Sequence, residues 1–120
     1  MSIVHEWDWN ADKRGLHANN VIGLPDGKSM LSTVFLGWDP IAKKVYYLDM
    51  HDSETTYYGH ITEKNGGVEF RFGVLGSGKE DWIERGKFVG EDEWQADLIQ
   101  IKDSKEVVVA SFKMKRQREN

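Results

Sequence analysis

The chain of 120 residues contains no cysteine and only two prolines. Without thiols there is no disulfide, no zinc-thiolate site and no cysteine nucleophile, so stability has to come from packing. No apolar run is long enough to cross a bilayer, and the N-terminal MSIVHEWDWN lacks the basic and apolar regions of a secretory signal. A cytoplasmic location is the expectation. Apolar residues nowhere hold helical spacing over three turns, which argues against a helical bundle. An excess of positive charge is missing too: 16 basic against 20 acidic residues give a net charge of -4. The basic residues are scattered until Lys113, Lys115, Arg116 and Arg118, so neither nucleic acid nor an anionic membrane is an expected partner. That last cluster, interleaved with Glu119, reads as a solvated chain end.

What the chain has in quantity is glycine, twelve residues, and aromatic side chains: five Trp, four Tyr and five Phe. Apolar and polar residues alternate in short runs broken by turn signals, the pattern of sequential β-strands. The runs are Ile3 to Trp9, Leu16 to Leu24, Ser29 to Trp38, Val45 to His51, Thr55 to Thr62, Val68 to Val74, Trp82 to Val89, Trp94 to Ile101 and Glu106 to Met114. Pro25-Asp26-Gly27 is the strongest hairpin signal, because proline presets one turn residue and glycine accepts positive φ, and Asn65-Gly66-Gly67 favours a primed hairpin turn for the latter reason. Turns are also expected at Ala11 to Arg14, with Gly15 taking positive φ, at Asp39-Pro40 and at Asp52-Ser53-Glu54. Short connections permit only antiparallel neighbours. The expectation is one domain over residues 1–120, an all-β antiparallel up-and-down meander of about nine strands, closed or partly open as a β-barrel.

The run Phe35-Leu36-Gly37-Trp38-Asp39-Pro40, followed by Lys43-Lys44 and an aromatic strand, is similar to the hairpin of bacterial lipocalin-like (calycin-type) domains of uncharacterised function. The order of the Pro25-Asp26-Gly27 turn, the Gly59 strand and the Asn65-Gly66-Gly67 turn is similar as well. The resemblance implies a lipocalin-like barrel. Members of that family begin with an extra segment that helps close the barrel, and this chain starts at the strand after it. An edge left for a second copy to cover, and hence a homodimer, is the expectation.

No nucleophile elbow, phosphate-cradling loop or His-Glu-x-x-His element is present. The histidines His5, His17, His51 and His60 lie on four strands without the spacing of a metal motif, so neither metal nor cofactor is expected. Asp49 and His51 share one strand phase with Tyr47. The other phase, Tyr46, Leu48 and Met50, is more apolar, which predicts Tyr46, Leu48 and Met50 inward and Asp49 and His51 toward solvent. The favoured function is non-catalytic binding of a small apolar or amphiphilic ligand in the barrel. Its expected lining is Trp7, Trp9, Trp38, Tyr46, Tyr58, Phe70 and Phe72, with His5 and His60 as polar anchors. The alternatives are a small isomerase or hydrolase using His and carboxylate, and an oligomerising module without ligand.

Overall fold

The computed structural model describes residues 2–10, 15–52 and 55–116. They form nine strands: β1 Ser2–Trp9, β2 Leu16–Gly23, β3 Ser29–Asp39, β4 Lys44–His51, β5 Thr56–Lys64, β6 Gly67–Val74, β7 Trp82–Val89, β8 Glu93–Lys102 and β9 Lys105–Lys115. Each is antiparallel to the next, in the single sheet order β1 to β9. The all-β meander expected from the alternation is therefore present, and no helix occurs among the described residues. β1 and β9 are not paired to each other, so the sheet is a curled half-barrel with two free edges.

Local chemistry sets the hairpins. Asn65 and Gly66 take φ of 52° and 76° between the paired Lys64 and Gly67, a primed turn whose twist matches the strands it joins. Asp103 and Ser104 do the same at 51° and 62° without any glycine. The Pro25-Asp26-Gly27 turn closes with the Gly27 amide donating to the Leu24 carbonyl, and Asp26 accepts from the Lys28 amide. Asp39 accepts from the amides of Ile41 and Ala42, so the residue before Pro40 holds the turn with its own side chain. Gly15 departs from expectation: it is not among the positive-φ residues. Glycine is needed there because a Cβ would sit 2.5 Å from the Leu36 carbonyl oxygen. The expected turns at residues 11–14 and 53–54, and Arg118, lie outside the described residues.

The registers divide the side chains between two faces. One carries Trp7 and His5 of β1, Ala18 and Asn20 of β2, Ser32 and Val34 of β3, and Tyr47, Asp49 and His51 of β4. It continues through Tyr57 and Gly59, Phe70 and Phe72, Trp82 and Glu84, to Trp94 and Ala96. This face is concave: Tyr47 of β4 touches Phe70 and Phe72 of β6 over the intervening Gly59, and Asp49 of β4 repels Glu84 of β7.

The phase expected for β4 is thus inverted. Tyr47, Asp49 and His51 face inward, while Tyr46, Leu48 and Met50 lie on the convex side; Asp49 is 8% exposed and Met50 41%. Apolarity misassigned the strand because the three polar residues satisfy one another. The Tyr47 hydroxyl donates to Asp49 Oδ2 at 2.8 Å and His51 Nε2 donates to the same oxygen at 3.0 Å. Mutual pairing removes most of the cost of burying them.

Candidate functional site

Four strands place His5, Asn20, Ser32 and His51 directly opposite one another, giving a polar row across β1 to β4. Asp49 and Tyr47 stand on the same face further along β4, on the way to the middle of the sheet. Within the row, Asn20 Nδ2 donates to Ser32 Oγ at 3.0 Å. Three atoms in this group are buried without a hydrogen-bond partner: His5 Nδ1, Asn20 Oδ1 and Asp49 Oδ1. Asn20 lies near enough to His5 to favour a charged imidazole, but the geometry falls short of a hydrogen bond.

Burial and charge tune the group. Loss of water lowers the His5 pKa, with Asn20 and Asp49 only partly opposing it, so the ring is neutral near pH 7. The hydrogen bond from His51 to Asp49 raises the His51 pKa against a smaller effect of burial. Burial holds the Tyr47 phenol well above its ordinary pKa, and the Asp49 charge adds to this. Glu84, facing Asp49 from β7, is pushed up to about 7 by burial, with Asp49 repulsion adding and a Trp94 hydrogen bond opposing.

Around the polar row runs an aromatic wall. Tyr47 meets Phe70 at 5.5 Å and Phe72 at 5.6 Å, Tyr57 meets His51 at 5.2 Å and Phe72 at 5.8 Å, and Phe70 meets Trp94 at 6.4 Å. Glycines make the wall: a Cβ at Gly86 would collide with the Trp94 ring, and one at Gly59 with the Arg71 carbonyl.

Of the residues expected to line a ligand site, His5, Trp7, Trp9, Phe70 and Phe72 share the concave face. Trp38 has the concave phase but stands at the rim, 59% exposed. Tyr46, Tyr58 and His60 do not join them. The inverted β4 register carries them to the convex face, where His60 Nε2 donates to Asp39 Oδ2 at 3.1 Å and Tyr58 packs on His60. Asn20, Ser32, Tyr47, Asp49, His51, Tyr57 and Glu84 are the site members that sequence reasoning missed. The signal for them was present in the Tyr47-Asp49-His51 spacing, but only the neighbours' registers reveal which face it occupies.

The convex face carries a second charged group. Glu69 accepts from Arg71 at 2.6 Å and Arg85 at 3.0 Å, Lys64 lies 3.7 Å away, and Arg85 makes two further bonds to Glu106 at 3.0 Å. An open groove of about 960 Å³ lies beside it, lined by Lys64, Arg85, Lys87, Lys113 and Glu106 among others. Its Arg85 and Lys64 are engaged by carboxylates. Among the described residues no three His, Asp or Glu converge as a metal site, and no helix is long and apolar enough to cross a membrane. No protein-family model, no curated protein and no solved structure matches the chain.

Proposed function

We propose that the chain is a lipocalin-like, non-catalytic binding domain that takes a small amphiphilic molecule against the concave face. The observation that carries this is the set of three buried, unpartnered polar atoms on one face of β1, β2 and β4, His5 Nδ1, Asn20 Oδ1 and Asp49 Oδ1, beside an aromatic wall. Each such atom costs about 1–3 kcal/mol while unsatisfied, and a ligand's polar end is one way to recover that cost. The aromatic wall offers rigid apolar area for the remainder of the molecule. The Tyr47 hydroxyl and His51 Nε2 both bond Asp49 Oδ2, which leaves Asp49 Oδ1 as the open acceptor of the group. Tryptophan fluorescence titrated with a panel of fatty acids, flavonoids, terpenoids and alkyl amines tests the reading. A saturable change with at least one member, lost in Asn20→Leu, is expected; no response to any member overturns it.

A second copy as partner is favoured by a separate observation. β9 is a free edge with Val107, Val108 and Val109 exposed, and a bulge leaves Val109 without a partner on β8. Two β9 strands laid antiparallel about the Val109-Ala110 midpoint put Glu106 of one copy opposite Lys113 of the other, twice. Lys105 and Lys115 guard the ends of that edge against indiscriminate stacking. Light scattering at micromolar concentration is expected to give the dimer mass, and Val108→Lys the monomer mass; a wild-type monomer overturns the pairing.

A further inference from the structure

We infer that the polar end of the ligand is a protonated amine, its N–H groups donating to Asp49, Asn20 and His5. The inference rests on the proposed binding at the concave face and adds the chemistry of what is bound. From β1 through β7 the registers place no lysine or arginine on that face, whereas Asp49 and Glu84 both lie on it. Apart from His51, whose raised pKa goes with its bond to Asp49, no cationic side chain on that face answers the carboxyls, so an anionic head would meet Asp49 and Glu84 without a lysine or arginine to receive it.

The unpartnered atoms have the matching polarity. Asn20 Oδ1 and Asp49 Oδ1 only accept hydrogen bonds, and neutral His5 offers Nδ1 as an acceptor when its proton sits on Nε2. A primary ammonium brings three N–H donors to a face of such acceptors. A hydroxyl brings one donor and a carboxylate none. The charge of Asp49 makes its bond to an ammonium roughly twice as strong as a neutral one, and the aromatic rings of Tyr47 and Tyr57 stand beside Asp49.

Three probes with one chain length separate the head groups: octylamine, octanol and octanoate, followed by tryptophan fluorescence and calorimetry at pH 8. Octylamine is expected to bind about tenfold or more tightly than octanol, with octanoate weakest. Asp49→Asn and, independently, Glu84→Gln are expected to bring the octylamine-to-octanol ratio toward one, each variant's fold being checked by circular dichroism. Glu69→Gln, on the convex face, should leave the ratio unchanged. Octanol or octanoate binding as tightly as the amine, or a ratio untouched by both concave variants, overturns the amine assignment and leaves ligand binding standing. Failure of all three probes overturns the amine assignment, whereas the wider panel above decides binding itself.

Discussion

The two charged groups of this sheet differ in what they leave unfinished. On the convex face, Glu69 has both oxygens engaged, by Arg71 and Arg85, and Arg85 goes on to Glu106. On the concave face, Asp49 has one oxygen taken twice and the other not at all, and Asn20 and His5 nearby repeat the deficit. A closed network explains itself as stabilisation; an open one of the same size, set among aromatic rings, points outward to something it receives. The difference teaches that charge clustering alone does not mark a site, whereas unspent hydrogen-bonding capacity does.

The largest blow falls on the floor that both groups share. Gly59→Ala forces a Cβ against the Arg71 carbonyl and to 2.6 Å from the Phe72 Cα, backbone that cannot swing away as a side chain would. Denaturant unfolding should show a loss of about 3 kcal/mol or more, and an unchanged midpoint would mean that the β5–β6 approach is looser than described.

Titration distinguishes the faces next. Glu84 is pushed up to about 7 from 4.5, so the folded chain holds a proton that the unfolded chain has released between those values. Stability should therefore fall as pH rises from about 4.5 and level off above about 7, by on the order of 3 kcal/mol. Glu69, whose arginine bonds depress its pKa, has the opposite sign: its contribution is present above pH 4.5 and lost on acidification. Subtracting the pH profile of Glu84→Gln from wild type isolates the concave component; a flat difference would refute the burial of that carboxyl.

The smallest effects sharpen the comparison most. Glu69→Gln should cost about 1–2 kcal/mol, held down because Arg71 and Arg85 are 42% and 38% exposed at the side chain and water answers them. Asp49→Asn should change stability by less than about 1 kcal/mol, since lost bonds to Tyr47 and His51 are offset by relief of repulsion with Glu84. Thermal melts of the two variants side by side check the order, and the reverse order would mark the concave group as structural.

Most of the strand map was legible because hairpin chemistry is local. Asn65-Gly66 and Pro25-Asp26-Gly27 carry their turn geometry in the residues themselves, and the period-2 alternation of Val68, Phe70, Phe72 and Val74 gives β6 its true inward face. The site was much less legible. β4 is more polar on the concave side than on the convex, so its phase follows from Val34 and Gly59 across the ladder against its own composition. With that phase inverted, Tyr46, Tyr58 and His60 were drawn in, and Tyr47, Asp49 and Glu84 were left out. Buried polar residues escape a hydrophobicity argument whenever they have each other for company.

One feature of the sheet reaches beyond binding. Every strand pairs only with its neighbours in the chain, from β1 with β2 through to β8 with β9. No strand waits for a distant segment before it can pair, so the entropy of each closure is that of a short hairpin. The molecule is built like a row that lengthens one hairpin at a time. Evolution could add or trim strands at either end without rethreading the rest, and a pull on the two termini would peel the row from its edges inward.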